Sequence, residues 1–203
     1  MPIHKHLTPN DTTTIYLWEL TESEKELHSG IVLTPHCESR LSQMRSSIHR
    51  KGFLGVRQLL KKAGYAPHNL LYDIMGKPHL SDERFISISH SFKFVAVAIS
   101  TQEVGIDLEK ERAKIQIIAP KFLHPSECAQ LSSDRTLTTS WCIKEAAYKL
   151  MGQKGLSFLN HIRIANCQSN HPITTVQTGA EFVKLKNWVY HWPNYSCALA
   201  LKK

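Results

Sequence analysis

The run "VGIDLEKERAKI", residues 104–115, is where the reading of this chain begins. Val104, Ile106 and Leu108 are apolar and alternate with Gly105, Asp107 and Glu109. Successive side chains of a strand point to opposite faces, so the run predicts a half-buried strand carrying Asp107 and Glu109 on one face. Two neighbouring carboxylates repel unless something positive lies between them. In isolation, a D-x-E of this kind more simply occupies the wet face of an edge strand. The alternative is that a cation compensates it.

Outward from this strand, "FISISHSFKFVAVAIS" (85–100) predicts two strands around a short connection, and "TIYLWEL" (14–20) an earlier strand. Between them, residues 37–64 carry Leu41, Met44, Ile48, Leu54, Leu59 and Leu60 at near-helical spacing, with Gly64 as a C-cap. "GKPHLSDE" (76–83) reads as a turn-rich loop. Downstream, "AKIQIIAPKFL" and "HPSECAQL" predict helix, the second starting at Pro125 and Ser126. Residues 136–155 predict a long helix, with Thr138, Thr139 and Ser140 as candidate N-caps and Gly152 or Gly155 at its end. "LNHIRIANC", "EFVKLKNWVYHW" and "YSCALALKK" alternate as strands.

Two rounds of this pattern resemble each other faintly. His90 is followed five residues on by "VAVAI" and His191 by "SCALAL". The prediction is an α+β fold of two similar halves, 1–101 and 102–203, each a small, mainly antiparallel sheet with a packed helix.

The chain has 203 residues, 42% of them hydrophobic and 21% charged, which is the composition of a folded domain or two small ones. No apolar run approaches the roughly 18 residues of a membrane span, and "MPIHKHLTPNDTTT" has no apolar core of a signal peptide, so a cytoplasmic protein is expected. The five cysteines are scattered without a C-x-x-C, which suggests neither a disulfide framework nor a zinc site. The formal net charge of +8 suggests an anionic partner: nucleic acid, an acidic protein or a phosphorylated cofactor.

A second constellation lies in the long helix. Glu145 and Lys149 are four apart and share a face, with Trp141 one turn before. The plainer reading is a solvated surface pair. If Glu145 joins Asp107 and Glu109, three carboxylates form a partial shell for Mg²⁺, and the basic excess serves the phosphates that such an ion binds. "SISHS" sets Ser89 and His90 at a strand end. No G-x-S-x-G elbow accompanies them, so they suit phosphate binding better than nucleophilic catalysis. Lys77 stands in a tight "GKP" turn, and Arg50 and Arg57 lie seven apart, near one face of the first long helix.

Each block is weak singly, but their order is specific. Gly76-Lys77-Pro78, Ile88-Ser89-His90-Ser91, Val104 to Glu109, Phe122 to Glu127, and Trp141 to Lys149 together resemble the Sfp-type 4′-phosphopantetheinyl transferases. The match is firm over residues 50–155 and only general elsewhere. The resemblance implies the 4′-phosphopantetheinyl transferase fold, a pseudo-twofold monomer with coenzyme A and Mg²⁺ in the cleft between its halves. It implies transfer of 4′-phosphopantetheine from coenzyme A to a serine hydroxyl of an apo acyl or peptidyl carrier protein, with release of 3′,5′-ADP. Carried over, Asp107, Glu109 and Glu145 hold the metal and Glu145 takes the serine proton. Lys149 neutralises the breaking pyrophosphate, and Lys77, Ser89 and His90 grip the coenzyme A phosphates. Arg50 and Arg57 fall where such enzymes place arginines for the 3′-phosphate. Two departures stand out: many relatives have Thr or Ser at Cys142, where only packing should change, and a common glutamate is Gly52 here.

A metal-dependent nuclease would also want clustered carboxylates and a lysine. Its usual strand signature leaves one residue between acid and lysine, whereas Lys110 directly follows Glu109 and points to the other face. A basic nucleic-acid module is disfavoured because Asp107 and Glu109 would repel phosphate and no RRM, KH or helix-turn-helix signature appears.

Overall fold

The computed structural model describes residues 5–128, 132–167 and 169–203, and the chain divides into two compact units, Met1–Thr101 and Gln102–Lys203. Both are α+β and their main sheets are antiparallel.

Unit 1 opens with strands β1 (Lys5–Asn10) and β2 (Thr13–Glu19), then helices α1 (Glu24–His28), α2 (Pro35–Gln43) and α3 (Ser47–Lys62). It continues with the short strands β3 (Leu70–Tyr72) and β4 (Pro78–Leu80), and ends with β5 (Phe85–Ser91) and β6 (Phe94–Ser100). Its sheet runs β1-β2-β6-β5. Trp18 of β2 and alternating Val95, Val97 and Ile99 of β6 are buried, and Leu59 and Leu60 of α3 join the same core. Gly55 fits α3 against this sheet, since a Cβ there would stand 2.6 Å from Leu20 Cδ2.

Two sequence expectations change in unit 1 and one holds. The helix anticipated over 37–64 is two helices broken at 44–46. Arg50 explains how the break is tolerated, because its Nη1 donates to the Met44 and Arg45 carbonyls that the interrupted helix leaves open. Gly64 does end α3, in the left-handed region at φ +89°, and Tyr65 N donates back to Leu60 O. The stretch 76–83 is not all loop: Leu70–Tyr72 and Pro78–Leu80 pair as a hairpin, whose turn is held by Asp73 Oδ1 accepting from the Met75 and Lys77 nitrogens.

Unit 2 begins with β7 (Val104–Lys110), then α4 (Lys114–Ile118), α5 (Pro125–Cys128) and the long α6 (Asp134–Met151). A last turn, α7 (Phe158–His161), leads into β8 (Ile162–Ala165), β9 (Ile173–Thr178), β10 (Glu181–Trp192) and β11 (Tyr195–Lys202). The sheet order is β7-β11-β10-β9-β8, so β7 is an edge strand. Helix α6 packs Cys142, Ile143, Ala146, Ala147 and Leu150 onto it in a core with Ala198 and Ala200 of β11. Its N-cap is Ser133, in a reciprocal capping box with Thr136, one turn earlier than the sequence suggested. Thr138, Thr139 and Ser140 are interior and buried, and Ser140 Oγ donates back to Thr136 O. Gly152 ends α6 in the left-handed region. Part of the expected "HPSECAQL" helix, residues 129–131, lies outside the described residues.

Candidate active site

The strand β7 and the helix α6 make the candidate site, and Gly105 sets their spacing. A Cβ at Gly105 would stand 1.9 Å from the Ala146 carbonyl oxygen and 2.9 Å from the Leu150 nitrogen. No side chain fits there, so the backbones of strand and helix meet, one residue from Ile106 and two from Asp107. Asp107 is therefore buried, 4% exposed, on an edge strand where an isolated D-x-E more simply reads as solvated.

The charge facing Asp107 is a lysine of the chain itself. Lys149 Nζ donates to Asp107 Oδ1 at 2.7 Å and to the Ile106 carbonyl at 3.1 Å. Burial works against the ammonium, but Asp107 and then Glu145 outweigh it and hold its pKa above the usual lysine range. Glu145, one turn before Lys149, is pushed up to about 7, first by burial and then by the Asp107 carboxylate, with Glu109 adding and Lys149 opposing. Asp107, Glu109, Glu145 and Lys149 thus share one electrostatic neighbourhood. Glu109 lines a pocket of about 210 Å³ with Arg112, Lys114, Ile115, Thr138 and Trp141, so it is reachable from solvent where Asp107 is not. Two residues on, Glu111 has its own cation: Arg135 Nε donates to Glu111 Oε1 at 3.0 Å.

Cys142 is fully buried with Sγ 3.4 Å from the Ser196 carbonyl, and burial raises its thiol pKa. It does more than the packing expected of it, because its thiol also interacts with the Asp107 carboxylate through a side-chain hydrogen bond.

Sequence reasoning missed Lys144. Between the exposed-looking residues of "WCIKEAAYK", its side chain is 0% exposed. Nζ donates to Glu127 Oε2 at 2.8 Å and to the carbonyls of Phe122, Phe158 and Ile162 at 2.7–3.0 Å. Glu127 Oε1 accepts in turn from Ile164 N at 2.7 Å, and Oε2 from His124 N at 2.8 Å. The Phe122–Glu127 block and the Trp141–Lys149 block are therefore joined by one buried ion pair whose hydrogen bonds are made by backbone from several elements. Trp141 adds an edge contact to Phe122 at 5.1 Å between ring centroids. The joint occurrence of the two blocks was the only signal in the sequence.

The remaining candidates lie in unit 1. Lys77 closes the β3–β4 hairpin beside Gly76, whose φ is +82°. Ser89 is buried and His90 exposed at the end of β5. The two arginines are engaged elsewhere. Arg50 Nε and Nη2 donate to the two carboxylate oxygens of Glu24 at 2.8 and 3.0 Å, besides its two carbonyl contacts. Arg57 is 4% exposed, lies 3.4 Å from the Phe53 ring centroid and donates to Phe53 O and Cys37 Sγ. Among the described residues, no three His, Cys, Asp or Glu side chains form a ready group around one metal position. No described helix is long and apolar enough to cross a membrane.

Residues 103–200 match the family model of the 4′-phosphopantetheinyl transferase superfamily. The individual relatives agree with the Sfp-type resemblance. The chain is 35% identical over 112 residues to 4′-phosphopantetheinyl transferase gsp of Aneurinibacillus migulanus, covering 50% of this chain and 47% of that one. It is 31% identical over 118 residues to a 4′-phosphopantetheinyl transferase of Bacillus subtilis, covering 52% of each. It is 36% identical over 90 residues to 4′-phosphopantetheinyl transferase Sfp of Bacillus subtilis strain 168, covering 40% of each. The chain thus spans about half the length of the curated relatives it matches.

Proposed function

We propose that this protein transfers 4′-phosphopantetheine from coenzyme A to a serine hydroxyl of an apo acyl or peptidyl carrier protein, leaving 3′,5′-ADP. The observation that carries the reading is the Asp107–Lys149–Glu145 cluster at the Gly105 seam. Glu145 is partly buried one turn from Lys149 and beside Asp107, so it is the carboxylate assigned to accept the serine proton, directly or through water. Lys149, held by Asp107 and the Ile106 carbonyl, presents a fixed ammonium to the pyrophosphate oxygens. Fixing it in advance means that little reorganisation is needed as charge develops on the leaving phosphate.

Mg²⁺ fits this donor set in kind. Asp107, Glu109 and Glu145 are hard oxygen ligands, and the Asp107 and Glu109 carboxylates both act on Glu145, so a divalent ion would relieve their mutual repulsion. When bound, the ion would supply charge neutralisation for the pyrophosphate. Lys77, Ser89 and His90 of unit 1 are assigned to the coenzyme A phosphates. Arg50 and Arg57 are not: Arg50 would have to abandon Glu24 and the Met44 and Arg45 carbonyls, and Arg57 is buried against Phe53. The fold assigned is a pseudo-twofold monomer, and the cytoplasm is the compartment where coenzyme A and carrier proteins would meet it.

The test is the intact mass of a panel of apo carrier proteins incubated with the protein, coenzyme A and Mg²⁺. Gain of one phosphopantetheine by at least one carrier is expected. No gain on any carrier, with folded protein, refutes the reading.

A further inference from the structure

Helix α3 buries an arginine with no carboxylate opposite it. Arg57 is buried, and a guanidinium keeps its charge in any protein environment. A buried charge needs a counter-charge. Among the described residues, Arg57 reaches the Phe53 carbonyl, the Phe53 ring and the sulfur of Cys37, and its Nε has no partner. The carbonyl and the ring offer partial charges only. Of these three contacts, only Cys37 can take a full negative charge, and its Sγ lies 3.7 Å from Arg57 Nη2.

Cys37 is placed to ionise. It is in the first turn of α2, where open backbone N–H groups favour an anion. Thr34, the N-cap, accepts from Cys37 N at 3.2 Å, and its hydroxyl also hydrogen-bonds the sulfur. Burial opposes ionisation, but Thr34 and then the Arg57 charge outweigh it and hold the thiol below its ordinary pKa. The buried Cys142 and Cys197 go the other way, raised by burial and then by Asp107. Around Cys37, Arg40 of α2 adds positive charge from over the Phe53 ring at 5.7 Å, while the flanking His36 and Glu38 are exposed. The core that Cys37 joins, with Leu27, Leu33, Phe53 and Val56, is apolar.

We propose that Cys37 is a thiolate in the folded protein and the counter-ion of Arg57, which makes the pair a pH-sensitive clasp between α2 and α3. A thiol held below its ordinary pKa by folding contributes stability at high pH, and that contribution is lost as the pH falls through its folded titration. The clasp therefore closes as the pH rises and opens as it falls.

The test is the ultraviolet absorbance of the thiolate against pH, taken as wild type minus Cys37→Ser, beside a peptide of residues 34–40 as the unfolded reference. The wild-type midpoint should lie below that of the peptide. Arg57→Met should lower the thiolate-to-thiol ratio at the wild-type midpoint about tenfold, the least that a neighbouring cation usually contributes, and Arg57→Lys should lower it less. In thermal unfolding, the lead of wild type over Cys37→Ser should widen as the pH is raised through the midpoint. A wild-type midpoint at or above that of the peptide, a midpoint that Arg57→Met does not move, or a lead that is constant with pH overturns the proposal. The last result is what simple packing of a neutral thiol would give. The comparison with the peptide and the unfolding series use no arginine variant, so a misfolded Arg57→Met leaves both standing.

Discussion

Replacing Glu145 by glutamine tests the electrostatics of the seam through stability, apart from any assay of turnover. Glu145 titrates at about 7 in the folded protein against an ordinary 4.5, first because it is buried and then because Asp107 faces it. A raised folded value means that the folded state binds the proton more tightly than the unfolded state does. The stability this group contributes is fully present below about pH 4.5 and is lost as the pH rises through about 7. The size of the loss is about 3 kcal/mol at 1.36 kcal/mol per pKa unit, and about 2 kcal/mol after allowing for partial solvation. Glutamine keeps the shape and cannot ionise, so it should recover most of that at pH 8. At about 2–4 °C per kcal/mol for a chain of this size, Glu145→Gln should melt about 4–8 °C above wild type at pH 8, and about level with it near pH 4.5. The assay is thermal unfolding in metal-free buffer across that range. Mg²⁺ should then raise the melting temperature of wild type at pH 8 more than that of Glu145→Gln. Equal melting temperatures for both proteins at pH 8 would show that the Glu145 charge is not opposed by burial and Asp107, and the site as described would fall.

Three further outcomes follow from the same geometry. Lys144→Met leaves Glu127 buried without its cation and should cost about 3–5 kcal/mol by urea unfolding, whereas replacing both partners with apolar residues should cost clearly less. Gly105→Ala forces strand and helix apart and should destabilise by about 3 kcal/mol, with turnover lost in the fraction that still folds; unfolding within 0.5 kcal/mol of wild type would contradict the close approach. Arg50→Ala breaks a partly exposed pair with Glu24 and should lower stability only slightly while leaving the KM for coenzyme A within twofold, and a tenfold rise in KM would return Arg50 to the phosphates.

Much of the fold could be read from the sequence because periodicity reports burial directly. The hairpin of β5 and β6, the strand β7 and the long α6 all announce themselves by alternation or helical spacing. Strand β9 was missed although Ile173, Thr174, Thr175 and Val176 are β-branched, and β1 because Lys5–Asn10 is polar and carries Pro9, as an edge strand permits. The break at 44–46 was hidden because what satisfies it, Arg50, is a side chain from the next helix. Within the site, Asp107, Glu109, Glu145 and Lys149 could be named because their spacing fixes which faces they share. The roles of Lys144 and Gly105 could not, since a lysine becomes a buried clamp only when four acceptors from distant parts of the chain surround it. The same holds for the cation opposite Asp107: spacing pairs Lys149 with Glu145, and only the strand–helix contact through Gly105 turns it toward Asp107.

The central claim is that Lys149, fixed by Asp107, stabilises charge in the transition state and does not merely pair across the seam. Steady-state kinetics of Lys149→Ala with coenzyme A, Mg²⁺ and an apo carrier protein test it most directly. Loss of one positioned charge donor should lower kcat by about 10²–10³-fold with a much smaller change in the KM for coenzyme A. A folded Lys149→Ala protein with wild-type kcat would contradict it.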